Sequence, residues 1–382
     1  MGRRILFVLN EASFFISHRL PVANAARDAG WEVHVAAPAD HVWAPPGFTV
    51  DSIRALGFAF HEIPLSRRGK NPIQEIRTFA ALLRLYGCLR PDLVHHLTIK
   101  PNLYGGIAAR LCRIPAVFAV PGLGQVFVAR GARASILRAV ISGLLRIAFA
   151  HPRSRVILQN SDDFEQLTAG RIVPRERAVL IRGSGANLAK FQCRPLPVGV
   201  PMIVLASRLI WDKGIAEFVE AARVLRGRGV AARCVLVGDT QSSNPRAVPR
   251  STLEAWVAEG VIEWWGFRDD MADVITQATV CCLPSTYGEG VPKVLLEAAA
   301  GGRAIVATDI PGCREIVKDG VNGYLVPRKD VARLAARLEE LVTDRAKAAT
   351  FGLAGRALAE REFDETSVAA RTVEVYATLR NG

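Results

Sequence analysis

No run of about 18 uncharged apolar residues occurs in this 382-residue chain, so no segment reads as a membrane-spanning helix. The first residues, MGRRILFVLN, place two arginines before an apolar run too short for a secretory leader. CxxC pairs and His/Cys clusters are absent. The seven cysteines (88, 112, 193, 234, 281, 282 and 313) are scattered and odd in number, which speaks against a disulfide framework and for free buried thiols in a reducing cytosol. No GxxxxGK[ST] element cradles a phosphate, and Gly122-Leu-Gly124 lacks the third glycine of a dinucleotide fingerprint, because position 127 is Phe127. Aromatics make up 7% of the chain and do not cluster, which argues against a platform for stacking nucleic-acid bases. Acidic residues are missing over one long stretch. Between Asp92 and Asp162 there is none, while Lys100, Arg110, Arg113, Arg130, Arg133, Arg138, Arg146, Arg153 and Arg155 are all basic.

What is present is a large core. Half of the residues are hydrophobic and 22% are charged, and the length suits two domains. The net charge of +13 is carried by one half: residues 1–190 hold 25 Lys/Arg against 12 Asp/Glu, whereas residues 191–382 hold 24 of each. Such a field attracts phosphate, nucleic acid or an anionic membrane surface.

Apolar runs alternate with helical stretches. Strands are expected at 5–10, 33–38, 58–65, 93–97, 116–121, 156–159 and 179–182, with helices at 17–29, 73–89, 103–111, 134–150 and 162–169. The proline-rich stretch CRPLPVGVP (193–201) reads as a linker, after which strands restart at 202–207, 234–238, 262–267, 280–284, 304–308 and 324–326. Continuous apolar strands separated by helices imply parallel sheets covered on both faces. The expected architecture is α/β, with two doubly wound Rossmann-like domains facing a central cleft. Residues 1–192 would form the first domain and 193–363 the second, and a helix in 364–382 would pack back on the first. The stretch 244–250 reads as a mobile loop.

The segment Tyr287–Gly302, YGEGVPKVLLEAAAGG, is the most informative. A glycine-rich turn carries Glu289, Pro292 suits the first helical position, and Gly301–Gly302 ends the helix. Glu297 stands among Leu295, Leu296 and three alanines, where a carboxylate is costly to bury without a partner. A helix N-terminus binds phosphate, and carboxylates accept hydrogen bonds from sugar hydroxyls. A nucleotide sugar has both features. Upstream, Arg208 and Lys213 follow the first strand of the second domain, where two cations can reach one diphosphate. Taken alone, they also fit a solvated basic turn.

With these motifs in place, the whole chain resembles glycosyltransferase family 4, a retaining family of GT-B fold. Glu289 and Glu297 match its Glu-x7-Glu element, with Gly290 after the first acid. The resemblance implies that Glu289 contacts donor-sugar hydroxyls and that Glu297 binds the nucleotide ribose. It gives Gly290 and Val291 backbone N–H groups for the diphosphate, and Arg208 and Lys213 its charge. Phe267 and Arg268, in the stretch Gly266–Asp270, would flank the base, and Gly238 would face the same pocket. The first half is similar to one branch of the family, which assembles capsule, O-antigen and N-glycan chains on undecaprenyl diphosphate. The residues that carry this likeness are FFISHRLP (14–21), KNPI (70–73), HHLTIKPN (95–102) and PGLGQVF (121–127). It implies an acceptor side made by Ser17, His18, His95, Lys100 and Gly122. His18 would meet a phosphate or be an ordinary helix residue. Where many family members carry an acceptor-side His, this chain has Leu97.

No Asp-x-Asp pair is present to hold a metal on a diphosphate, so catalysis without metal or other cofactor is expected, with Arg208, Lys213 and the helix N-terminus in the role of Mg²⁺. The expected enzyme moves a hexose or N-acetylhexosamine from a UDP-sugar to a polyprenyl-diphosphate-linked sugar. It would work in the cytoplasm, peripherally on the inner face of the cytoplasmic membrane, with no nucleic-acid partner. A UDP-sugar 2-epimerase of the same fold and a transferase with a soluble acceptor are the alternatives. In 132–150, Ser135, Arg138, Ser142 and Arg146 form one polar stripe on an otherwise apolar helix. That pattern fits a core helix with one wet face, or an interfacial helix on an anionic leaflet.

Overall fold

The computed structural model describes residues 2–39, 47–66, 71–123, 131–240 and 244–379; side chains of 132–134 are not considered. Lys70, Gly124 and Phe127, which belong to the motifs above, lie outside the described residues. The chain divides into two units, Met1–Ser184 with Thr366–Gly382, and Gly185–Glu365.

In the first unit, seven described strands form one parallel sheet: β1 (Arg3–Val8), β2 (Trp31–Ala37), β3 (Ala59–Glu62), β4 (Leu93–Leu97), β5 (Ala116–Val120), β6 (Ser154–Leu158) and β7 (Ala178–Leu180). Their order is β3-β2-β1-β4-β5-β6-β7. In the second unit, β8 (Met202–Ala206), β9 (Arg233–Val237), β10 (Glu263–Trp264), β11 (Val280–Leu283), β12 (Ala304–Thr308) and β13 (Gly323–Val326) run β10-β9-β8-β11-β12-β13. Both are doubly wound sheets. The inner strands β4, β5, β8, β11 and β12 are buried from end to end, because helices cover both faces. Each sheet reverses its winding once, between β1 and β4 and between β8 and β11. Ligands of open α/β sheets bind at the carboxyl ends of the strands at such a point.

Several elements differ from expectation. The strand expected at 262–267 is two residues long, and Gly266 then takes φ +68°. The expected helix 17–29 starts at Ala12 and breaks at Arg19, giving Ala12–His18 and Leu20–Asp28. Residues 244–250 are anchored, not loose. Val248 lies in the core, its N–H bonds to Leu209 O at 2.9 Å, and Thr240 Oγ1 donates to Val248 O at 2.6 Å. All seven thiols are free, yet Cys88, Cys112 and Cys193 are exposed rather than buried.

The helix Glu365–Thr378 completes the first unit: Tyr376 is buried against β4, where its hydroxyl bonds to His95 Nδ1 at 2.7 Å.

Candidate functional site

Two loops meet at the winding reversal of the second unit, one leaving β8 and one leaving β11. The first carries Arg208, exposed, then a short 3-10 turn, Trp211–Lys213, and Gly214 at φ +75°. A Cβ at Gly214 would fall 2.0 Å from the Pro284 carbonyl oxygen, so glycine is what lets the two loops touch. The contact brings Lys213 Nζ to 2.5 Å from Glu289 Oε1, which also accepts from Ser285 Oγ at 2.7 Å. Burial alone would raise the Glu289 carboxyl. Lys213, the Ser285 hydroxyl and the charge of Arg208 outweigh it and hold the group below its ordinary value. Glu289 is therefore an ionised acceptor in a partly enclosed site.

Gly290 and Val291 continue the loop into the helix Lys293–Ala300. Pro292 is its N-cap, at φ −66° and ψ 122°, and not its first helical residue; the extended ψ is what turns the chain into the helix. The amides of such a first turn precede any intrahelical acceptor and are available to an anion. The carbonyl of Gly290 packs on the backbone of Gly312, at the start of the helix Pro311–Ile316. One turn along the Lys293–Ala300 helix, Glu297 is half-buried. Among the described residues its carboxylate has no hydrogen-bond or salt-bridge partner. Burial pushes it up to about 7; Lys293 and Lys190 act against the shift and Glu365 adds to it. The partner that a buried Glu was expected to need is not supplied by any described residue.

The third side of this site is the loop after β10. Gly238, at φ +133°, sits so close to the chain that a Cβ would fall 1.9 Å from Ser207 O. Its N–H donates to Gly266 O at 2.7 Å, and its carbonyl accepts from Trp264 Nε1 at 2.9 Å. Phe267 is 42% exposed, an unusual place for a large apolar ring. Arg268 is held by both oxygens of Asp270, with Nε to Oδ1 at 2.7 Å.

In the first unit, Ser17, Lys100 and Gly122 follow β1, β4 and β5, three neighbouring strands, at their carboxyl ends. Ser17 Oγ lies 2.7 Å from His18 Nδ1, and the His18 ring stacks on Phe14 at 4.2 Å. Lys100 Nζ donates to Glu75 Oε1 at 2.6 Å and to Ser66 O at 2.7 Å. Its charge is thus already matched by a carboxylate. His95 must be removed from the acceptor side. It is fully enclosed between Phe7 and Tyr376, and burial, then Arg19 and His96, push it well below the usual histidine range. A neutral ring with no accessible surface touches no substrate. His96 is equally enclosed and bonds to Tyr86 at 2.7 Å.

Two features beside Lys100 carry no plain signal in the sequence. Thr98, β-branched, adopts φ +75°, and its buried Oγ1 has no partner. A π-helical turn, Pro101–Gly105, follows, and Asn102 within it is buried with an unpartnered Oδ1. Strain of this kind is retained where the surroundings over-determine it, most often at functional sites.

Among the described residues no group of three or more His, Cys, Asp or Glu could hold a metal ion, and no helix is long and apolar enough to cross a membrane. The helix Ala132–Phe149 departs from the pattern of a core helix with one wet face. Ser142 of the polar stripe is buried, and Arg146 donates to the carbonyls of Gly170 and Arg171. Ile136, Leu137, Val140 and Ile147 stand exposed at 48–66%. The polar stripe is partly covered, with Ser135 and Arg146 still exposed, and much of the apolar face is bare.

Residues 200–344 match the family model described as glycosyl transferases group 1, and residues 4–161 match glycosyl transferase 4-like. A curated relative, N,N'-diacetylbacillosaminyl-diphospho-undecaprenol alpha-1,3-N-acetylgalactosaminyltransferase of Campylobacter jejuni, is 27% identical over 98% of both chains. Among solved structures, sucrose-phosphate synthase from Thermosynechococcus elongatus superposes with a TM-score of 0.79, at 19% identity over 99% of each chain. HepE of Anabaena, in complex with UDP and glucose, superposes at 0.75, with 20% identity over 99% of this chain and 100% of that one. These likenesses identify the fold as GT-B.

Proposed function

Because the chain belongs to the glycosyltransferases of the group 1 and 4-like families, we propose that it transfers a hexose or N-acetylhexosamine from a UDP-sugar to a polyprenyl-diphosphate-linked sugar. The observation that carries this reading is the pairing of Lys213 with Glu289 beside Glu297, whose carboxylate has no partner among the described residues. One acid is ionised and held by a cation, and the other awaits a hydrogen-bond donor. A nucleotide sugar supplies what both lack. Glu289 accepts hydroxyls of the sugar and Glu297 those of the ribose. Arg208, Lys213 and the amides of Gly290 and Val291 take the diphosphate, while Phe267 and Arg268 flank the base beside Gly238.

The chemistry follows from the charges. As the bond from the anomeric carbon to the diphosphate oxygen breaks, negative charge grows on the leaving group. Fixed Arg and Lys side chains stabilise it most at that moment. The acceptor hydroxyl attacks on the face being vacated, and its proton passes to the departing diphosphate oxygen. The anomeric configuration is retained. Arg208 and Lys213 supply the positive charge, and no metal is needed for the step.

The acceptor class draws support from the name of the Campylobacter relative, which acts on a diphospho-undecaprenol substrate. We assign the acceptor side to Ser17, His18, Lys100 and Gly122. The bare apolar face of the helix Ala132–Phe149, in an acid-free stretch, suits the interface of an anionic leaflet on the cytoplasmic side.

The test is incubation of the purified protein with UDP-hexoses or UDP-N-acetylhexosamines and a polyprenyl-diphosphate-linked monosaccharide, with and without EDTA. Disaccharide product of unchanged anomeric configuration in both conditions is expected. Arg208→Ala is expected to lower turnover by about 2–3 kcal/mol of barrier, and Glu297→Ala to weaken nucleotide binding. Conversion of UDP-GlcNAc alone to ManNAc, or transfer only to a soluble acceptor, would overturn the reading.

A further inference from the structure

Asp212 stands immediately before Lys213, in the loop that offers cations to a diphosphate. A carboxylate there works against the site: it repels the ligand and competes with Glu289 for the Lys213 ammonium. The structure gives it a partner from a segment outside the family motifs. Arg246 forms an ion pair with the Asp212 carboxylate. The backbone of the same segment is bound alongside. Trp211 N donates to Arg246 O at 2.9 Å, Ile210 and Ala247 form an antiparallel bridge, and Val248 N bonds to Leu209 O at 2.9 Å. On its other side Asp212 is tied to the loop after β11, because its carbonyl accepts from Thr286 N at 2.9 Å. Tyr287, next in that loop, feels the charges of Arg246, Asp212 and Glu289 together, and its hydroxyl is enclosed without a partner. Arg246, Asp212 and the Lys213–Glu289 pair are thus one connected assembly around Tyr287.

We propose that Arg246 is a positioning residue for the donor diphosphate: it neutralises and anchors Asp212, so that the Asp212 carboxylate does not offset the positive charge of Lys213 and Arg208 where the diphosphate binds. This inference rests on the donor-site reading above. Arg246 acts through Asp212 and is not assigned a contact with the nucleotide. Its side chain is 43% exposed, so removing the guanidinium leaves no cavity in the core.

The experiment measures UDP affinity by titration calorimetry, with melting temperature alongside, for the full chain and for Arg246→Gln, Arg246→Lys, Asp212→Asn and the double variant Arg246→Gln/Asp212→Asn. Arg246→Gln is expected to weaken UDP binding about tenfold, the weight of one uncompensated charge at a partly exposed site. Asp212→Asn alone is expected to bind at least as well as the parent, because it removes the repelling charge. The double variant should recover most of the loss, since the acid that Arg246 neutralised is gone. Arg246→Lys, which keeps the charge, should lose less than Arg246→Gln. A merely structural role predicts the opposite pattern: a lowered melting temperature and no rescue by Asp212→Asn. A double variant as weak as Arg246→Gln overturns the proposal, as does unchanged binding in Arg246→Gln. If the parent binds no UDP, the donor-site reading itself fails and takes this inference with it; parent binding with an unaffected Arg246→Gln removes the inference alone.

Discussion

The carbonyl oxygen of Gly290 and the Cα of Gly312 are in such close contact that a Cβ at Gly312 would lie 1.2 Å from that oxygen. Backbone cannot step aside as the tip of a flexible side chain can. Gly312→Ala therefore displaces the Glu289–Val291 loop or the start of the helix behind it. Overpacking of this kind costs about 1–3 kcal/mol of stability. A displacement of about 1 Å at the donor amides lowers turnover about 100-fold. Calorimetric unfolding and kcat/KM measure the two effects, and a variant indistinguishable from the parent in both contradicts the expectation.

Glu297 links pH to stability and to binding. In the unfolded chain it ionises in the ordinary carboxylate range; folded, it keeps its proton up to about 7. The folded state therefore loses stability as pH rises from that range to about 7, and the loss is complete above it. Glu297→Gln should be more stable than the parent above that pH and unchanged in strong acid, as read from melting temperature against pH. On the proposed donor-site reading, the ionised form is the one that would accept hydrogen bonds from the ribose hydroxyls. Affinity for UDP-glucose, whose phosphates do not titrate in this range, should then rise with pH and level off above about 7. A titration of the Gln variant should show no such rise.

Arg303 is fully buried, and among the described residues its side chain bonds to no carboxylate. Its guanidinium instead donates to the carbonyls of Arg194 at 2.7 Å and of Ile275 and Thr276 at 2.9 Å, pinning the linker to the second sheet. Burial lowers its pKa. Arg303→Met keeps the bulk and leaves these carbonyls unpaired, at about 1–3 kcal/mol for each one stranded. Denaturant unfolding should show a loss of several times a typical surface substitution, and a midpoint equal to the parent's would contradict the assignment.

The bare face of the helix Ala132–Phe149 predicts a separation of two properties. Replacing Ile136, Leu137 and Val140 by serine should reduce co-sedimentation with anionic vesicles. Exposed positions typically change stability by no more than about 0.5 kcal/mol each, so the melting temperature should hold. Undiminished vesicle binding would detach this helix from any membrane role.

The strands were legible because buried parallel strands read as unbroken apolar runs: Ala116–Val120 is AVFAV and Met202–Ala206 is MIVLA, apolar from end to end. Glu289 and Glu297 were legible for the opposite reason, since acids in apolar or glycine-rich surroundings are costly and stand out. The Lys213–Glu289 contact was not legible as geometry, because it depends on β8 lying beside β11, a matter of strand order. His95 was misread for a similar reason. It stands in the middle of β4, the central strand of the sheet, and a helix near the end of the chain covers it. In the helix Ala132–Phe149 the periodicity marked the polar stripe correctly. Which way the stripe faces was decided by the carbonyls of Gly170 and Arg171, which Arg146 reaches.

The hydrogen bond from Tyr376 to His95 also sets an order of events during synthesis. When the ribosome has delivered residue 184, every strand of the first sheet exists, but one side of β4 still lacks its cover and His95 is wet. The second unit, contiguous in the chain, can close as soon as it emerges. The half that starts first is therefore finished last, and a transcript cut short before the final helix yields one sealed half and one open one.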